Sequence, residues 1–134
     1  MILIDTNVVL DVMEERYPHY AASATVIDQV VRRNVIGVLS AHAVTTIEYI
    51  VARHADAARA TKIIEWLLVR FQIATVGKAQ LVRAQSLRWK DFEDAVTAAA
   101  AETHGCNRIV TRNISDFTGS PVDAYTPEEY LRVF

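Results

Sequence analysis

The chain reads as one α/β domain over residues 1–134, a mostly parallel central sheet flanked by helices. Three observations predict it. Short segments rich in Ile, Val and Leu alternate with amphipathic ones, which calls for crossover connections and a sheet covered on both faces. No linker, internal repeat or low-complexity tract interrupts that alternation. Four acidic residues, Asp5, Glu48, Asp94 and Asp116, also stand where a solvated charge is not expected, two of them just beyond predicted strands. In open α/β sheets that end of the strands is where ligands bind.

The elements follow in order. Residues 1–5 predict a buried strand, because Ile2, Leu3 and Ile4 are continuously apolar rather than alternating. Across residues 17–34, Tyr20, Ala24, Ile27 and Val31 recur with helical spacing. Gly37 introduces a short strand, Val38-Leu39. Helices are predicted over residues 44–53 and 57–70, the second presenting Ile63, Ile64, Leu67 and Leu68. Residues 71–76 alternate like a strand and stop at Gly77. Residues 78–88 are helical in composition. Another helix runs over residues 91–104 to Gly105, suited to a left-handed cap. Residues 108–111 and 122–125 read as strands, and Pro127 opens a terminal helix.

Composition narrows the function. With 134 residues the chain can bury roughly two-thirds of the surface it exposes when unfolded. No apolar run approaches the ~20 residues a membrane helix needs. Asp5 interrupts the opening apolar run before a secretory core can form. The single cysteine, Cys106, cannot make an internal disulfide, so a cytoplasmic setting is expected. Fourteen Lys and Arg against sixteen Asp and Glu, a net charge of −2, disfavour nucleic-acid binding by bulk charge. His19, His42, His54 and His104 lack zinc-ligand spacing.

The chemistry rests with the carboxylates. A buried carboxylate is costly unless paired, and the partner that suits several at once is a hard divalent cation. Asp5-Thr6-Asn7 follows the first strand, where Asp5 or Asn7 could alternatively cap a helix. Glu48 shares helical spacing with Val44 and Val51 and is expected to point inward, unless Thr45-x-x-Glu48 forms a capping box. Asp91 suits the N-cap of an alanine-rich helix. Asp94 continues along Ala98 and Ala101 and should face the sheet, whereas Glu93 should be solvated. Thr111-Arg112-Asn113 leads to Asp116 and offers hydroxyl, guanidinium and amide groups. Lys78, Arg83, Arg88 and Lys90 form the one basic stretch, with Trp89 inside it either as a stacking surface for nucleic acid or as a core anchor.

Together these segments resemble the PIN domain over the length of the chain. Ile2-Leu3-Ile4-Asp5-Thr6-Asn7 is similar to its first strand and leading aspartate, and Leu39-Ser40-Ala41 leading to Glu48 to its second acidic segment. Asp91-Phe92-Glu93-Asp94-Ala95 resembles the third, and Thr111-Arg112-Asn113 with Asp116-Phe117 the fourth. The resemblance implies a Mg²⁺- or Mn²⁺-dependent ribonuclease, with Asp5, Asp94 and Asp116 holding metal and Glu48 binding metal or orienting the nucleophile. Thr6, Asn7, Asp91, Thr111 and Asn113 would support them, while Arg112, Arg88 and Lys90 would meet RNA phosphates. The compact size is similar to VapC-type toxins, which implies a homodimer restrained by a small antitoxin. A catalytically inactive module that binds RNA or protein is the alternative. A phosphoacceptor receiver domain would need a late lysine, and none follows Lys90.

Overall fold

A computed structural model describes every residue, Met1 to Phe134. The elements are β1 (Ile2–Ile4), α1 (Thr6–Met13), α2 (Tyr20–Val31), β2 (Gly37–Ser40), α3 (Ala41–His54), α4 (Ala57–Arg70) and β3 (Gln72–Ala74). After them come α5 (Lys78–Leu87), α6 (Phe92–His104), β4 (Arg108–Val110), a 3₁₀ turn (Ile114–Phe117), β5 (Ala124–Tyr125) and α7 (Pro127–Val133). The strands form one sheet in the order β3-β2-β1-β4-β5. All four pairings are parallel, so the sheet is wholly rather than mostly parallel.

Burial on both faces explains the continuous apolar character of β1. Ile2 and Ile4 pack on one face with Val8, Val9, Ile27, Ile47 and Leu67 from α1 to α4. Leu3 points to the other face, among Ala98, Ala101, Ile109 and Phe117. The small side chains of α6 let that helix lie close to the sheet, with Ala95 and Ala98 to Ala101 almost wholly buried. Gly105 ends α6 at φ 83°, a conformation open to glycine at little cost.

One helix went unannounced in the sequence. The run Thr6–Met13 is rich in valine and by propensity favours a strand. Asp5 starts a helix there instead, its Oδ1 accepting a hydrogen bond from the Thr6 amide at 2.8 Å. The topology then fixes where chemistry can occur. From β1 the chain crosses outward to β2 and β3, then returns to the opposite side of β1 through β4 and β5. The reversal lies between β1 and β4, and the crevice beyond their carboxyl ends is the expected ligand position.

Candidate functional site

The register of β1 and β4 builds the first half of the site. Ile4 pairs with Val110, which puts Asp5 and Thr111 side by side just past the strands. Asp5 is only 4% exposed. Its Oδ2 accepts from the Thr111 hydroxyl at 2.7 Å and from the Asn7 amide nitrogen at 3.3 Å, while Oδ1 takes the Thr6 N–H. Burial pushes the Asp5 carboxyl pKa up; the Thr111 and Thr6 hydrogen bonds pull it back, and the charge of Glu93 raises it further.

The second half is the start of α6 with the turn after β4. Asp91 caps the helix, its Oδ1 accepting from the Asp94 amide at 3.0 Å. Asp94 is 5% exposed, and its Oδ2 is buried without any hydrogen-bond partner. The 3₁₀ turn brings Asp116 across from them. One carboxylate oxygen from each of Asp91, Asp94 and Asp116 falls within 4.8 Å of the others. The Asp94 carboxyl is pushed up to about 7, first by burial and then by the charges of Asp5, Asp91, Asp116 and Glu93. A buried carboxylate oxygen without a donor, ringed by like charges, fits a hard divalent cation with oxygen ligands. Thiolate and imidazole ligands of the zinc type are missing from the cluster.

Glu48 does not join this group. It is exposed on α3 and is not among the charges that act on Asp5 or Asp94. Helix α3 begins at Ala41, three residues ahead of the expected start, and its buried line is Ala43, Ile47 and Val51. Glu48 follows Ile47 and so sits about 100° further round the helix, toward solvent. The alternative capping box is also absent, since the Thr45 hydroxyl donates to the His42 carbonyl instead.

Other expected residues divide between foreseen and unforeseen parts. The Arg112 side chain turns inward, its Nε donating to Asp11 Oδ2 at 2.7 Å. Arg83 is paired with Glu102 across to α6, which removes it from the basic stretch. Trp89 packs edge-on against Phe117 with centroids 5.5 Å apart and serves as an anchor. Arg88 and Lys90 are exposed. Lys90 lines a pocket of about 480 Å³ together with Asp91, Phe92 and Asp116.

Two residues at this end were missed. Phe92, 51% exposed, offers an aromatic face beside Asp91 and Asp116. His42, at the start of α3, packs its Nε2 3.4 Å from the Thr97 hydroxyl of α6. Burial lowers the His42 pKa, against the charges of Glu93 and Asp5, so the ring is neutral at pH 7. Glu93, exposed as expected, still lies close enough to act on Asp5, Asp94 and His42. Position was the available signal for His42. It follows the carboxyl end of β2, just as Asp5 follows that of β1.

Known proteins share this fold. Ribonuclease VapC1 of Aquifex aeolicus is 25% identical over 134 residues, covering 96% of this chain and 92% of that protein. A toxin–antitoxin complex from Klebsiella pneumoniae contains a chain that superposes with a TM-score of 0.73 at 21% identity, covering 95% of this chain and 98% of that one. VapBC2 from Rickettsia felis, bound to a promoter DNA fragment, contains one that superposes at 0.70 and 17% identity, covering 94% and 98%. The PIN domain family model matches residues 1–115, most of the chain and all but the last of the four site aspartates, and on that match the chain belongs to the PIN domain family.

Proposed function

We propose that this chain is a metal-dependent endoribonuclease, with Mg²⁺ or Mn²⁺ as its ion, and that it is the toxin of a toxin–antitoxin pair. The observation that carries the reading is the Asp94 carboxylate, buried with one oxygen unmatched and facing Asp91 and Asp116. Asp91, Asp94 and Asp116 would hold the ion directly, Asp91 taking the place expected from the sequence for Asp5, which lies close enough to Asp94 to add charge to the site. When bound, such an ion supplies Lewis-acid stabilisation of a phosphodiester and a water of lowered pKa.

The chain's own residues do the rest. Thr111 and Asn7 orient Asp5 by donating to its Oδ2. Asp91 fixes the first turn of α6 and with it the direction of the Asp94 carboxylate. Lys90 stands where a substrate phosphate would approach the carboxylates, and the exposed Phe92 ring offers a face on which a neighbouring base can stack. The antitoxin part of the proposal draws on the kinship with VapC1 and on the toxin–antitoxin complexes whose chains share this fold. A groove of about 750 Å³ suits an amphipathic helix of such a partner. Its floor includes Ile27, Ile63 and Trp66, and Asp28, Asp56, Arg59 and Lys62 line it with charge.

The test incubates purified protein with structured RNA and Mn²⁺, beside an EDTA control and the Asp94→Asn variant. Cleavage only in the wild-type tube with metal supports the reading. Cleavage in all three tubes would indicate a contaminant, and RNA binding without cleavage would favour an inactive module.

A further inference from the structure

Asp11 is a carboxylate with no exposure at all, in the middle of the molecule's first helix. Its Oδ2 accepts from Arg112 Nε at 2.7 Å and from the Ser23 hydroxyl at 3.0 Å, and its Oδ1 has no partner. As a source of stability this is a poor arrangement. A buried ion pair gives little more than apolar side chains of the same volume would, and an unmatched oxygen makes it worse. The pair does, however, fix a place. Arg112 lies in the loop between β4 and the 3₁₀ turn, and the same loop is tied to β1 and α1 at two more points. The Arg112 amide donates to Asn7 Oδ1 at 3.2 Å, and the Thr111 hydroxyl donates to Asp5 Oδ2. Beyond Arg112 the Asn113 amide returns to the Thr111 hydroxyl at 3.0 Å, and the Asp116 amide to the Asn113 carbonyl at 2.9 Å. Every link from Asp11 to Asp116 is thus a hydrogen bond or a peptide bond.

We infer that Arg112 is a positioning residue for the metal site. Anchored on Asp11, it holds the loop at the height that sets the Asp116 carboxylate against Asp94 and Asp91. This replaces the phosphate-contact role expected for Arg112 from the sequence, and it rests on the metal-site reading above. Second-layer groups that orient ligands in this way typically change metal affinity by about 10–100-fold when removed.

Removing Arg112 alone would strand the Asp11 charge inside the protein, so the decisive variant is the double substitution Asp11→Leu with Arg112→Met. Mn²⁺ binding is measured by calorimetry on the RNA-free protein, and RNA cleavage is followed separately. The expected result is a folded double variant that binds Mn²⁺ about 10-fold or more weakly. Its kcat should fall, while KM for RNA stays within about two-fold. If the double variant does not fold, Arg112→Lys carries the same test. A lysine brings a point charge to Asp11 without the planar fork, and Mn²⁺ affinity should fall by a smaller factor. Unchanged Mn²⁺ affinity in a folded variant overturns the inference. If KM for RNA also rises and its salt dependence flattens, Arg112 is a phosphate contact instead. A wild-type protein that binds no Mn²⁺, and so matches Asp94→Asn, brings down the metal reading and this inference with it.

Discussion

Asp5 and Asp94 are buried to nearly the same degree, yet their surroundings are opposite. Three donors converge on Asp5, from Thr6, Asn7 and Thr111, and both of its oxygens are used. Asp94 has one oxygen without a partner and other carboxylates around it. Depth alone therefore does not set how a carboxylate is satisfied. The supply of donors does: the fold gives Asp5 three while leaving one buried Asp94 oxygen with none.

The largest expected effect is catalytic. Asp94→Asn keeps the shape of the side chain and removes the charge a cation needs. Metal assistance is worth several kcal/mol of transition-state stabilisation, so RNA cleavage should fall by about 10²–10³-fold. Cleavage by Asp94→Asn within ten-fold of wild type would show that this carboxylate does not serve the ion.

Next in size is the link between pH, metal and stability. The folded Asp94 carboxyl has a pKa of about 7 against an ordinary 3.8, a raised value. The folded protein then holds a proton that the unfolded chain releases between those pH values. The stability this contributes is complete below about pH 4 and lost as pH rises to 7. The raised pKa of Asp5 acts in the same direction. Mn²⁺ should reverse the effect at neutral pH, because a cation held by these carboxylates requires them deprotonated. At 100 times its Kd it adds about 2.7 kcal/mol. Melting curves at pH 5.5 and 8, with and without Mn²⁺, check both signs. A melting temperature indifferent to pH and to metal would refute them.

The two aspartates can then be set against each other without metal. In Asp5→Asn a single acceptor oxygen is left for three donors, and the new amide nitrogen is set against at least one of them. A loss of about 1–3 kcal/mol follows from the unmatched groups. Asp94→Asn relieves repulsion and should instead raise the melting temperature at pH 8 by a few degrees, as about 1 kcal/mol does in a domain of this size. Shifts of the same sign in both variants would erase the distinction between them.

How far the sequence showed this depends on what kind of signal each residue left. The strands were legible because β1, β2 and β4 are apolar on both faces, and strand ends pointed to Asp5 and Asp116. The capping role of Asp91 was legible from its spacing to Asp94. Helix α1 was hidden, since Val8, Val9 and Val12 favour a strand locally and the Asp5 cap overrides them. The inward turn of Arg112 was hidden for another reason. Its partner Asp11 is 101 residues away in the chain, and only the folded topology joins them. Phe92 carried no sign of exposure, because an aromatic between acidic residues reads equally well as core.

Glu48 provides the last and smallest prediction, and it concerns the acidic residue that stands apart from the site. Its helical spacing to Val44 and Val51 suggested an inward side chain, but that inference assumed a helix starting near Val44. With three more residues at the amino end, α3 buries Ala43, Ile47 and Val51, and Glu48 turns to water. An exposed carboxylate without a partner contributes little, so Glu48→Gln should change stability by less than about 0.5 kcal/mol. RNA cleavage should stay within about two-fold of wild type, in contrast to the loss expected for Asp94→Asn. A kcat lowered ten-fold or more by Glu48→Gln, with melting unchanged, would mean that α3 turns this residue toward the site when RNA or metal binds. The acidic site would then gain a fifth member beside Asp5, Asp91, Asp94 and Asp116.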